Sequence, residues 1–345
     1  MPKLEPNLLP LHIGSMPHTN PAVACDLTFQ HFPQVPTWPQ LPRRSPLENM
    51  YTQYSERFPG VVVEPENNRI YVDREADLDP ELEQLYLAYL ENNIAFGSIS
   101  PNYAAGLYAF LERAPAHNSE FLAVKGQVTG PVSWGLRVGD QNRRPVLYEE
   151  ILADAVAKFL RLKASWQEKQ LEQLFPTTII FVDEPYMASF GSAFIPIQRD
   201  QVITLIEEVL SGITGIKGSH CCGNTDWSIL LETGIDILSF DAYGFGHTLG
   251  LYPDAVHAFL DRGGIIAWGI VPHDDHIFSE TAESLLGHLE RAWGHLLRKG
   301  IRQEQIISSA FITPACGSGT LSKEMAERVF QLTEQVSKLA RAKYL

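Results

Sequence analysis

Eight short runs of β-branched and apolar residues recur along the chain with helical stretches between them, and this alternation limits the fold more than any other feature. The runs are LHIGS (11–15), VPTWP (35–39), FLAVKGQV (121–128), TTIIFVDE (177–184), GIKGSHCC (215–222), DILSFDA (236–242), GGIIAWGIV (263–271) and IISSAFIT (306–313). Parallel strands need a long crossover between them, which a helix supplies. Eight such units predict an α/β chain closed into a (β/α)8, or TIM, barrel. Apolar residues at three- and four-residue spacing predict helices over 146–174 and 281–300, the second stopping at Arg298, Lys299 and Gly300. The stretch from Pro59 to Asp73 breaks the rhythm and reads as a small β-hairpin insertion turning at Glu66-Asn67-Asn68. No internal repeat, low-complexity segment or linker divides the chain, so residues 1–345 are expected to form a single domain.

Composition narrows the partners. With 45% hydrophobic and 20% charged residues the chain can bury a large core, and its net charge of −14 argues against nucleic acid or an anionic membrane surface. The N-terminal MPKLEPNLLP has no apolar signal region, and no stretch reaches the roughly 18 apolar residues of a membrane span. A cytoplasmic, metabolite-handling protein is expected. Four cysteines, two of them adjacent, make a poor disulfide framework and are expected to be thiols.

In such a barrel the reactive groups collect where strands end and eight loops converge. Ser15 follows the first run, Asp183 and Glu184 the fourth, His220 and Cys222 the fifth, Asp241 the sixth and Cys316 the eighth, so all should face one cavity. One imidazole and two thiolates are a zinc donor set, and a catalytic zinc leaves its fourth position weakly held or open. Side chains alternate along a strand, so Cys221 should point away from the face shared by His220 and Cys222. The plain readings are that adjacent cysteines are small buried hydrophobes, that Asp183 caps the next helix, and that His247, His273, Asp274, Asp275 and His276 are solvated loop groups.

Four motifs carry a resemblance. HIGSMPHT (12–19) resembles IGSFPQT, VKGQVTGPV (124–132) resembles KGMLTGPVT, FVDEP (181–185) resembles IDEPA, and TPACGSGT (313–320) resembles NPDCGLKTR. These are motifs of the catalytic half of cobalamin-independent methionine synthase. SHCCGN adds the metal-binding H-x-C, and its HCCGNT form is similar to the HICGNT of methylcobamide-dependent thiol methyltransferases. Both belong to the uroporphyrinogen decarboxylase-like superfamily, and the resemblance runs from about residue 8 to residue 330.

The resemblance implies a zinc-dependent S-methyltransferase that methylates the thiol of homocysteine to give methionine. His220, Cys222 and Cys316 match the zinc ligands, and Asp241 falls where the family has a displaceable glutamate. Ser15 matches the serine that holds the amino-acid carboxylate. Asp183, with Glu184 beside it, matches the acid that receives the ammonium group. The family's second acid, after the second strand, has no counterpart in WPQLPRR (38–44). Folate-dependent members carry a further N-terminal domain and a D-x-H in the seventh-strand loop, where this chain reads VPHDDH (271–276). The expected donor is therefore a methylcobalamin-type corrinoid on a partner protein. Methyltetrahydrofolate, a methylcobamide:coenzyme M-type reaction and a non-catalytic zinc-binding role in a corrinoid complex are the alternatives.

Overall fold

A computed structural model describes residues 4–192 and 196–345. Among the described residues, nine strands form two sheets. Strands β1 (Val61–Glu64), β2 (Arg69–Val72) and β4 (Gly139–Asp140) make the smaller one, in the order β1-β2-β4. Strands β3 (Val124–Thr129), β5 (Thr178–Asp183), β6 (Ile216–Cys221), β7 (Ile237–Phe240), β8 (Ile265–Val271) and β9 (Ala310–Pro314) make a parallel sheet in chain order. Five of these six strands are buried along their whole length, as parallel strands covered on both faces must be.

The sheet has six regular strands rather than the eight expected. Runs 11–15 and 35–39 contribute only isolated parallel bridges: Pro10 to Ile312, Thr37 to Lys125 and Ser15 to Gln40. Prolines 36 and 39 lack the N–H that a continuous ladder requires, and Gly14 has φ 143°, outside any strand conformation. The bonds that do form are good ones. Leu11 N donates to Ile312 O at 2.9 Å, Lys125 N to Pro36 O at 2.9 Å, and Gln40 N to Gly14 O at 3.0 Å. All eight runs still share one apolar interior, in which Leu11, Val35, Ala123, Phe181, Ile216, Ile237, Ala267 and Phe311 are buried together.

The predicted hairpin is present as β1 and β2, paired antiparallel from Val61 and Val72 to Glu64 and Arg69, with Asn68 left-handed at the turn. Its pairing with the two-residue β4 is too short to have left a sequence signal. The two predicted helices run over Glu150–Leu171 and Ala282–Leu297. The second opens on a Thr281–Ser284 capping box and is followed by Gly300 at φ 90°. No helix among the described residues is long and apolar enough to cross a membrane.

Candidate metal and substrate site

The register of the parallel sheet brings the strand ends level. Thr129 of β3 pairs with Asp183 of β5, Asp183 with His220 of β6, and His220 with Ser239 of β7. Side chains two apart on β6 share a face, so His220 carries Cys222 to the same side, and the loop after β9 delivers Cys316. The ligand atoms of His220, Cys222 and Cys316 all lie within 4.8 Å of one another.

The protonation chemistry of this cluster suits a metal. His220 Nδ1 lies 2.9 Å from Ser239 Oγ, while the buried Nε2 has no hydrogen-bond partner. A ring whose far nitrogen is held by a neighbour and whose near nitrogen is left bare is how a metal-binding histidine is presented. A hydrogen bond from Cys316, helped by His220, pulls Cys222 down against its burial, while the same bond and burial push Cys316 up. Two sulfurs beside a bare imidazole nitrogen are a donor set that matches a thiophilic cation such as Zn²⁺. Cys221 lies in the core on the opposite face, where burial raises its thiol to about 12.

The cluster opens into a cavity of about 250 Å³ whose lining includes Ser15, Gln40, Glu48, Asp183, His273 and, from the loop after β9, Gly317 and Gly319. Ser15 Oγ accepts from Gly319 N at 3.2 Å, and a Cβ at Gly317 would stand 2.2 Å from that oxygen, so glycine is what lets the two loops meet there. Asp183 is 8% exposed, and its Oδ1 has no partner. Burial pushes its carboxyl up to about 6, with Lys125 and His220 opposing.

Asp241 stands beside the cluster rather than within it. Its Oδ1 accepts from Gly244 N at 2.8 Å, capping the short helix Ala242–Phe245, while its charge interacts with His273, Cys222 and His220. Glu184, expected among the substrate contacts, is occupied otherwise. Its carboxylate accepts from Val132 N at 3.0 Å, and from Ser133 N and Oγ at 2.7 and 2.6 Å, so it anchors the start of the helix Pro131–Arg137.

Three groups were not among the expected site residues. Glu48 is 1% exposed and lines the cavity; its Oε1 takes Arg44 Nη1 at 2.5 Å while Oε2 has no partner. It lies four residues beyond the WPQLPRR stretch, on a short 3-10 turn that carries no sequence signal for a site residue. His273, expected on the surface, is half-buried in the cavity wall, whereas its neighbours Asp274, Asp275 and His276 are exposed. Lys125 is fully buried on β3. A larger, open groove of about 790 Å³ at the other end of the sheet, near Ile216 and Ile265, holds none of the unpartnered buried donors found among the described residues.

No protein-family model matches the chain, and no curated protein does. Among solved structures, a methyltransferase from Methanosarcina mazei matches over 95% of this chain and 86% of its own, with 13% identity and a TM-score of 0.55. A B12-independent methionine synthase from Shewanella sp. W3-18-1, in complex with selenomethionine, matches over 68% of this chain and 67% of its own, with 20% identity and a TM-score of 0.48. The likeness to the Methanosarcina protein is one of fold: a mostly parallel sheet wrapped by helices.

Proposed function

We propose that the chain is a zinc-dependent S-methyltransferase that moves a methyl group onto the thiol of homocysteine to give methionine, with a methylated corrinoid protein as donor. The observation that carries the reading is a His220 ring with its Nε2 bare, in a cluster with two cysteine sulfurs whose ligand atoms all lie within 4.8 Å of one another at the wall of a cavity. His220, Cys222 and Cys316 would hold the ion, with Asp241 beside the remaining position. Bound there, zinc would supply a Lewis acid that lowers the pKa of an incoming thiol, otherwise about 8.5, so that its proton passes to solvent and a nucleophilic sulfur remains.

The protein's own groups do the rest. Asp183 Oδ1 and Glu48 Oε2 are two buried acceptors on one cavity, a fit for the ammonium of an amino-acid thiol, and the Ser15 hydroxyl beside the Gly317–Gly319 backbone suits its carboxylate. Fixing both ends orients the sulfur towards the cluster and limits the acceptor to a small molecule. The donor approaches from the mouth. A corrinoid leaves as Co(I) and needs no proton.

His273 in the cavity wall favours a second reading, in which methyltetrahydrofolate is the donor and the imidazole protonates the departing nitrogen. Methionine formation by zinc-loaded protein from homocysteine, with methylcobalamin or with methyltetrahydrofolate, separates the two. Turnover with neither donor overturns the proposal.

A further inference from the structure

The interior between the parallel strands holds a lysine for which the chemistry above has no use. Lys125 is fully buried, and an ammonium sealed from water is costly unless its donors are paired. Its Nζ donates to Ile13 O at 2.7 Å and to Gln127 Oε1 at 3.2 Å, stands 4.3 Å over the Phe181 ring, and interacts with the charge of Asp183. Both acceptors belong to the Ser15 turn or press against it. Ile13 O lies two residues before Ser15, and Gln127 Oε1 sits where a Cβ on Gly14 would come within 2.7 Å. Gly14 itself has φ 143°, so the bend that turns Ser15 towards the cavity uses a backbone state that only glycine adopts readily. This segment is held to the sheet by isolated bridges and has no regular strand to fix it.

We propose that Lys125 is a positioning residue that locks the Ile13-Gly14-Ser15 turn from below and thereby aims the Ser15 hydroxyl into the substrate cavity. As far as substrate is concerned, this rests on the reading of Ser15 given under Proposed function. The mechanical part does not. When the turn is locked, Met16 N donates to Gln40 O, Ser318 N to Ser15 O and Gly319 N to Ser15 Oγ. All three amides should report its release.

The test is amide hydrogen exchange on the full chain with Lys125→Met, which keeps length and apolar bulk but removes every donor. Exchange at Met16, Ser318 and Gly319 is expected to quicken roughly tenfold while β7 and β8 stay as protected as in the parent. Unchanged exchange at those amides, or equal loosening of β7 and β8, overturns the proposal. Should Lys125→Met fail to fold, Gln127→Met removes the second arm and must quicken the same three amides to uphold it. A second readout is homocysteine affinity. The loss caused by Lys125→Met should largely vanish in a Ser15→Ala background, whereas losses that simply multiply contradict a role exerted through Ser15. If the parent protein does not bind homocysteine, the functional reading fails while the exchange result still decides the role of Lys125.

Discussion

His220 and Ser239 face each other across the β6–β7 ladder, and the 2.9 Å contact between Nδ1 and Oγ leaves Nε2 directed at the two cysteines with nothing else to bond. Ser239 therefore sets the tautomer and the angle of the ring. Its hydroxyl would act on a bound metal without touching it. Ser239→Ala is expected to weaken zinc binding by about 10- to 100-fold while the protein stays folded, measured by competition with a chromogenic chelator.

The two neighbouring cysteines should behave in opposite ways. Cys222 stands at the cavity and Cys221 packs in the core behind it. Cys222→Ser and Cys316→Ser should each strip the protein of stoichiometric zinc, whereas Cys221→Ala should leave the zinc content at one per chain. Metal analysis of the purified variants decides this, and a Cys316→Ser protein that retains its zinc would contradict the ligand assignment.

Asp183 and Glu48 each keep one carboxylate oxygen unpaired inside the same cavity. A charge-assisted hydrogen bond is worth about 1.5–3 kcal/mol, or roughly 10- to 100-fold in an equilibrium. Asp183→Asn and Glu48→Gln should accordingly raise the KM for homocysteine by that order with a smaller change in kcat. Steady-state kinetics in which kcat falls and KM is unmoved would place these acids elsewhere in the reaction.

Acid is expected to weaken substrate binding through Asp183. Burial holds the Asp183 carboxyl at about 6, so it is charged above that pH and takes up a proton below it. The ammonium of the substrate then loses its partner. The KM for homocysteine is expected to rise as pH falls through about 6, and Asp183→Asn should flatten that limb of the profile. A limb that persists in Asp183→Asn belongs to another group.

The βα rhythm and the meeting of His220 with Cys222 were legible because both rest on short-range pattern, and Cys316 joins them because it too follows a strand end. Strand alternation puts His220 and Cys222 on one face, and parallel pairing sets strand ends level whatever the loops do. The first two runs were overread. LHIGS and VPTWP have the composition of strands, but Pro36, Pro39 and Gly14 limit them to single bridges, a backbone effect that composition hides.

Other parts of the site depend on contacts that no local pattern encodes. Glu184 sits beside Asp183 in the DEP motif, yet it turns to the helix at Pro131 because the Val132 and Ser133 amides lie there. Glu48 reaches the cavity from a loop with no strand to announce it, and a histidine in a polar loop gave no reason to expect His273 in the wall. Lys125 looked like an ordinary charged residue within a strand; only the closed interior shows that it cannot reach water.

X-ray absorption at the zinc edge, on zinc-loaded protein before and after addition of homocysteine, tests the central claim most directly. Two sulfurs with nitrogen and oxygen neighbours are predicted in the free protein, and three sulfurs once homocysteine is present. A sulfur count that stays at two in the presence of saturating homocysteine would contradict the account.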